Sequence, residues 1–332
     1  CEHSMNQVVV KNRIVKIDVF PMGIDYEKFS SALHSKKVQQ EIKKIGKGLD
    51  GKKVILSIDR LDYTKGIKER VSAYDAFFDK YPEYANKVVL LLVAVPSRTK
   101  VPQYSQLKKE LDELLGRLNG KHGNIGWTPV LYFYRSFPFD AMCALYSISD
   151  IAMITPLRDG MNLIAKEYLA VKQQGKCVLI LSEMTGAAKE LGEAVIVNPN
   201  NKNEMVEAIK RALDMSPEEQ EEKNALMRAR LRRYNVEKWG TDFIERLSYV
   251  KELQLSLVVK KIDSKEAAII AADYRKSKRR LIALDYDGTL REFVKDPEKA
   301  DPDRETIDIL KKLAKDKKND VYIISGRKKD SL

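Results

Sequence analysis

The segment Val54-Ile-Leu-Ser-Ile58-Asp-Arg60-Leu-Asp-Tyr-Thr-Lys65-Gly-Ile67 changes structural period partway along. Residues 54–58 are almost continuously apolar, as in a strand covered on both faces, whereas residues 68–80 carry apolar positions at helical spacing. A strand that feeds a helix through a short loop opens a βαβ unit, and in such folds ligands bind beyond the carboxyl ends of the strands. The loop suits an anion: a helix start offers unpaired N–H groups and a positive dipole end, Arg60 a planar fork of donors, and Lys65 a point charge. Each charge-assisted bond contributes about 1.5–3 kcal/mol. Taken alone, the same charges also fit a solvated connecting loop.

The pattern repeats in both directions. Further strands are expected at 88–95, 130–134, 151–155, 177–181 and 194–197, with helices at 103–119, 140–149, 163–174 and 203–214. The fold class is therefore α/β, a Rossmann-like doubly wound parallel sheet, and the apolar runs themselves serve core packing. Ser216-Pro217-Glu218-Glu219 places a cap, a first-turn proline and a capping-box glutamate in order. Arg228, Arg230, Arg232 and Arg233 crowd the far end of that helix, where cations match the dipole on a solvated surface. A helix at 236–255 follows. The pattern then resets at Lys260-Lys261 and at 275–280, a basic linker leading to a new strand at 281–284.

The 332 residues suit about two domains at roughly 100–200 residues each. With 44% hydrophobic and 33% charged residues, the chain is neither disordered nor of low complexity. Sixty basic against 48 acidic residues leave a charge of +12, which favours an anionic partner: nucleic acid, an acidic membrane, or a phosphorylated small molecule. Cys1, Cys143 and Cys177 make an odd set without a disulfide framework. The apolar run 88–95, closed by Lys87 and Pro96, falls far short of the ~18 residues of a membrane span. No signal peptide is visible, so a reducing, cytoplasmic location is the default. The chain opens on Cys1 and closes just after a strand-like run, and is expected to be a fragment at both ends.

A second loop follows the strand ending at Thr155: Pro156-Leu-Arg-Asp159-Gly160-Met-Asn162-Leu163-Ile164-Ala-Lys-Glu167. Gly160 allows close backbone approach, and Asn162 suits a helix cap that would aim the N–H groups of Leu163 and Ile164 at a ligand. Glu167, one turn in, suits two hydroxyls such as those of a ribose. By themselves, Asp159 and Glu167 also fit an ordinary cap and dipole partner.

Together, Arg60-Leu-Asp-Tyr-Thr-Lys65-Gly, Pro96-Ser-Arg98, Gly126-Trp-Thr-Pro129 and Thr155-Pro-Leu-Arg-Asp159-Gly-Met-Asn-Leu-Ile-Ala-Lys-Glu167-Tyr closely resemble the trehalose-6-phosphate synthase family of retaining GT-B glycosyltransferases. The resemblance runs from about Phe20-Pro-Met-Gly-Ile-Asp25 to about Leu255. It implies a chain made of the end of a first domain (1–30) and a nucleotide-sugar-binding second domain (31–255), followed by the basic linker (256–280). By resemblance, Arg60 and Lys65 hold the diphosphate of UDP-glucose, and Asp159 binds the glucosyl hydroxyls. The backbone of Asn162, Leu163 and Ile164 meets phosphate and sugar, Glu167 takes the ribose hydroxyls, and Phe137 lies near the uracil or anchors its loop. Arg98 binds the phosphate of the acceptor, glucose 6-phosphate. Positive groups at the leaving diphosphate stabilise charge as it develops, so the glycosyl transfer is expected to need no metal or other cofactor. The family's first-domain glycine-rich loop and its His and Asp have no match here, and His3, His34 and His122, the last set in a polar loop, are taken as incidental. The chain alone is expected not to transfer glucose.

Leu281-Ile-Ala-Leu-Asp285-Tyr-Asp287-Gly288-Thr289-Leu290 ends an apolar strand in two carboxylates two residues apart, a pattern suited to a shared Mg2+. One would attack phosphorus and the other move the proton. It resembles the first motif of haloacid-dehalogenase-like (HAD-like) phosphatases, and more narrowly the trehalose-6-phosphate phosphatase that can follow the synthase in one polypeptide. By resemblance, Asp285 is nucleophile and metal ligand, and Asp287 is general acid/base with a backbone carbonyl on the metal. The strand 321–324 and Ser325-Gly326-Arg327 resemble the second motif, whose serine binds the phosphoryl group. Residues 281–332 thus read as the beginning of an HAD-like domain, without its later lysine and acidic pair. The expected partners are UDP-glucose, glucose 6-phosphate and trehalose 6-phosphate, with no nucleic acid, no membrane, and a homo-oligomer allowed. The alternative is a catalytically silent sugar-phosphate-binding regulator, against which the retained acidic and basic residues argue.

Overall fold

The structure, a computed structural model, describes residues 3–4, 6–10, 13–49, 51–98, 101–173, 176–256, 264–291 and 301–326. The chain divides into two compact units, Cys1–Lys251 and Glu252–Leu332.

The first unit opens with three short antiparallel strands, β1 (His3–Ser4), β2 (Gln7–Val10) and β3 (Arg13–Lys16), and two helices, α1 (Tyr26–Ser30) and α2 (Lys36–Gly46). The alternating units then follow: β4 (Lys53–Arg60), α3 (Ile67–Lys80), β5 (Val88–Val95), α4 (Pro102–His122), β6 (Val130–Phe133), α5 (Phe139–Ile148), β7 (Ile151–Ile154), α6 (Leu163–Val171), β8 (Val178–Ser182) and β9 (Val195–Val197). Three helices follow: α7 (Lys202–Asp214), α8 (Pro217–Arg233) and α9 (Val236–Ser256), the last of which runs past Lys251. The six strands from β4 to β9 form one parallel sheet in the order β6-β5-β4-β7-β8-β9, the doubly wound sheet that the apolar runs predict.

Strand order reverses between β4 and β7. Right-handed crossovers leaving this point in opposite directions put their helices on opposite faces: α3 packs with α4 and α7, and α5 with α2 and α6. Every residue from Val88 to Ala94 is buried, as a central strand covered on both sides requires. On α3, Ile67, Val71, Tyr74 and Phe78 recur at helical spacing and are all buried. Trp127 donates its indole N–H to Val88 O at 3.0 Å, closing the sheet's amino end. Cys143 and Cys177 are free and buried, and burial raises their thiols to about 12 and about 11.

Ser216 caps α8 as its sequence indicates, accepting from Glu219 N at 3.2 Å. Its replacement by alanine is expected to cost about 0.5–2 kcal/mol, read as a lower urea midpoint with an unchanged m-value. At the far end of α8, Arg232 and Arg233 are exposed as expected of a solvated end, whereas Arg228 and Arg230 are half-buried and engaged. Arg230 makes a two-pronged ion pair with Glu193, both bonds 2.8 Å, Arg228 donates to Lys172 O at 2.7 Å, and Arg232 lies over the Tyr26 ring. Arg228 and Arg230 fasten the helix to the body of the unit.

The second unit contains α10 (Ser264–Lys276), β10 (Arg280–Asp285), α11 (Arg304–Lys315) and β11 (Asn319–Ile324), with β10 and β11 paired in parallel. The helix Ser264–Lys276 lies within the stretch 256–280 expected as a linker.

Candidate functional site

Strand order reverses between β4 and β7, and in open α/β sheets ligands bind beyond the strands' carboxyl ends at such a point. The loop after β4 carries Arg60 and Lys65, and the loop after β7 carries Asp159 and Asn162. They are locked together by backbone bonds, since Thr64 O accepts from Leu157 N at 2.8 Å and from Arg158 N at 3.2 Å. Gly66 makes this closeness possible: its φ is +62°, and a Cβ there would lie 2.4 Å from Thr155 O.

Charge joins the loops as well. Lys65 Nζ and Asp159 Oδ2 are 2.5 Å apart, with side chains only 14% and 16% exposed. Arg60, the last residue of β4, is exposed. Asp62 caps the turn Tyr63–Lys65, accepting from Thr64 N at 3.0 Å and from the Tyr104 hydroxyl at 2.9 Å. Partial burial pushes the Asp62 carboxyl up, but these hydrogen bonds, with help from Arg98, hold it below the usual carboxylate range. Arg98, after β5, sits in the left-handed region at φ 46° and donates to the same Tyr104 hydroxyl at 3.2 Å.

Asn162 caps α6 as expected, accepting from Ala165 N at 3.1 Å, while its amide donates to Asp159 Oδ2 at 3.3 Å. By helix geometry the N–H groups of Leu163 and Ile164 have no carbonyl four residues back within α6. A third loop supports the turn from outside: Gly186 N donates to Asp159 O at 3.1 Å and Thr185 Oγ1 to Met161 O at 3.0 Å. A Cβ on Gly186 would lie 2.0 Å from Gly160 O. Glu167 is half-buried and accepts from the Tyr146 hydroxyl at 2.7 Å. Burial raises its pKa, against the lowering effect of that bond and of Lys28.

Phe137, in the loop after β6, is half-buried against the core, edge-on to Phe133, with the Arg135 guanidinium 4.6 Å from its ring centre. Its loop and α2 line a cavity of about 400 Å3 that includes Lys37, Lys44, Arg135 and Asp140. His122 lies in the last turn of α4 rather than in a polar loop, and its Nε2 is 2.8 Å from Asp75 Oδ1. Lys121 pairs with both Asp75 and Asp79 at the same place, so the cluster carries its own cation.

Behind the two loops lies a residue that composition and motif spacing do not single out. Arg70 on α3 is completely buried and donates to Asp59 Oδ2 (3.0 Å), Thr155 Oγ1 (3.1 Å), Lys65 O (3.0 Å) and Ser57 Oγ. One guanidinium thereby ties β4, the Lys65 turn and the start of the Asp159 loop. The available signal was Asp59, a charge inside an apolar strand, which must have a partner.

In the second unit, Asp285 is the exposed last residue of β10 and pairs in register with Ile324. Ser325 follows directly at the end of β11, so both lie at the carboxyl end of adjacent parallel strands. Asp287 is half-buried, in a turn that Gly288 N closes on Arg291 O at 2.7 Å. Arg327 lies outside the described residues.

Among the described residues, no helix is long and apolar enough to cross a membrane. A glycosyltransferase family 20 model matches residues 1–249, and a trehalose-phosphatase model matches residues 283–332. Over 331 residues the chain is 43% identical to the bifunctional trehalose-6-phosphate synthase/phosphatase of Thermoproteus tenax, covering 99% of this chain and 45% of that protein. It is also 43% identical to alpha,alpha-trehalose-phosphate synthase [UDP-forming] A of Dictyostelium discoideum, covering 100% and 45%. Among solved structures it resembles a Burkholderia xenovorans UDP-forming synthase in complex with glucose-6-phosphate (TM-score 0.71, 33% identity, 73% of this chain and 54% of that one). It likewise resembles an E. coli trehalose-6-phosphate protein bound with UDP-2-fluoro glucose (TM-score 0.71, 34% identity, 74% and 55%). The chain spans 45% of the length of the two curated relatives. With the first match running through all six strands of the parallel sheet and their helices, the chain belongs to glycosyltransferase family 20.

Proposed function

We propose that the first unit is the donor-binding half of a retaining glycosyltransferase that passes glucose from UDP-glucose to glucose 6-phosphate, giving α,α-trehalose 6-phosphate and UDP. The observation that carries this reading is the Lys65–Asp159 ion pair at the strand-order reversal, beside the capped start of α6. An arriving diphosphate competes for Lys65 and releases Asp159 for the glucosyl hydroxyls, while Arg60 and the N–H groups of Leu163 and Ile164 complete the anion site. Asn162 supports that turn, Glu167 takes the ribose, Phe137 lies toward the base, and Arg98 meets the acceptor phosphate. The positive groups stabilise the departing diphosphate without a resident metal. The buried thiols of Cys143 and Cys177 suit a reducing cytoplasm.

The second unit begins a trehalose-6-phosphate phosphatase, with Asp285 as nucleophile, Asp287 as general acid/base and Ser325 on the phosphoryl oxygens. Asp285 and Asp287 are hard oxygen donors at one strand end, a set that fits Mg2+. When bound, that ion would neutralise phosphoryl charge.

Donor choice is tested by titrating UDP-glucose, GDP-glucose and ADP-glucose into the chain. UDP-glucose is expected to bind most tightly, and a preference for either of the others would overturn the assignment.

A further inference from the structure

We propose that Tyr146 is a positioning residue for ribose selection. Its hydroxyl sets the Glu167 carboxylate for the nucleotide's 2′-hydroxyl, so that ribo- and 2′-deoxyribonucleotides are told apart by a side chain that does not touch the ligand. The proposal rests on the assignment of Glu167 to the ribose.

Tyr146 is completely buried on α5, and its hydroxyl donates to Glu167 Oε2 at 2.7 Å. One carboxylate oxygen is thereby held, and Oε1 remains as acceptor for a second donor. The phenol has little freedom to move. Its ring meets Tyr168 edge-on at 6.3 Å, and Tyr168 donates back to Ser149 O, just past the end of α5, at 3.2 Å. Two tyrosine hydroxyls thus cross between α5 and α6 in opposite directions, but only that of Tyr146 ends on a group assigned to the ligand.

Glu167 needs this bond. Burial favours its neutral form, and the opposing influences are the Tyr146 hydroxyl and the Lys28 charge. A carboxylate whose orientation is fixed through one oxygen presents the other in a set direction to a ligand hydroxyl. A site built to bond a hydroxyl discriminates sharply against the analogue that lacks it, because the buried acceptor is left unpaired.

The test is the ratio of dissociation constants for UDP and 2′-deoxy-UDP, measured by calorimetry. The wild-type chain is expected to prefer UDP by about tenfold or more, the order of one charge-assisted bond. Tyr146→Phe, which removes one oxygen and keeps the ring, is expected to weaken UDP several-fold, 2′-deoxy-UDP less, and so reduce the ratio. Tyr168→Phe removes the companion clamp without touching Glu167 and is expected to keep the ratio. A wild-type ratio in Tyr146→Phe, or an equal loss for both nucleotides, overturns the proposal, as does an equal fall of the ratio in Tyr168→Phe. Glu167→Ala separates this failure from failure of the site. If it retains the wild-type ratio, the ribose assignment falls and the proposal with it. If it abolishes the ratio while Tyr146→Phe does not, only the role of Tyr146 is lost. Thermal unfolding midpoints establish that each variant is folded, and the Tyr146→Phe/Glu167→Ala double variant, expected to match Glu167→Ala in its ratio, supplies a second reading of the coupling.

Discussion

Replacing Arg60 by alanine is expected to weaken UDP binding roughly 10- to 150-fold, the equivalent of about 1.5–3 kcal/mol for one charge-assisted bond. Arg60 ends β4 at the point where strand order reverses, and among the described residues no carboxylate lies within ion-pair distance of it. Its positive charge is therefore available to a phosphate without first breaking an internal pair. Lys65 differs, because Asp159 already holds it at 2.5 Å. Lys65→Ala removes the attraction and leaves an uncompensated carboxylate beside the incoming phosphates, so its loss should equal or exceed that of Arg60→Ala. Calorimetry at fixed ionic strength reads both, and Arg60→Lys should recover only part of the affinity because an ammonium lacks the planar fork. Full affinity in both alanine variants would remove the anion site from these loops.

Arg70→Leu is expected to lower the stability of the first unit by about 3–5 kcal/mol, the cost of breaking a buried pair from one side. Asp59 is fully buried, and burial already raises its pKa against the lowering effect of Arg70. Without the guanidinium that rise becomes larger. A carboxyl with a higher pKa in the folded than in the unfolded state binds its proton more tightly when folded, so stability rises as pH falls through the folded value. The Arg70→Leu deficit should therefore be greatest at neutral pH and shrink in acid. Adding Asp59→Leu should recover much of it, since removal of both partners is far less costly than removal of one. Urea unfolding across pH reads all three states, and a deficit independent of pH would place its origin elsewhere than Asp59.

The doubly wound sheet was legible because its central strands are continuous apolar runs whose spacing leaves room for crossover helices. The two site loops were legible for a related reason: Arg60, Lys65, Asp159 and Asn162 are polar residues directly beyond such runs. Helix α2 was less visible, although Val38, Ile42 and Ile45 recur at helical spacing, because charged residues fill most of its length. The antiparallel strands β1 to β3 lie outside the alternating pattern that reveals the rest. The least legible features are contacts between residues far apart in the chain. Arg70 reads as one more surface charge on α3 until the fold closes Thr155 onto it, and Tyr104 as a helix residue until its hydroxyl links Asp62 to Arg98. Two arginines of α8 show the converse: a local argument from the helix dipole assigned the run to solvent, which holds for Arg232 and Arg233, whereas a tertiary carbonyl engages Arg228 and Glu193 engages Arg230.

On the proposed function, the first unit carries a site for a nucleoside diphosphate, in which the second phosphate is gripped by Arg60, Lys65 and the start of α6. Parallel calorimetric titrations of the chain with UDP and UMP test it most directly. Binding of one UDP per chain, with UMP weaker by about tenfold or more, is the predicted result, since loss of one phosphate forfeits at least one charge-assisted bond. Equal affinity for UDP and UMP, or binding of neither, would contradict it.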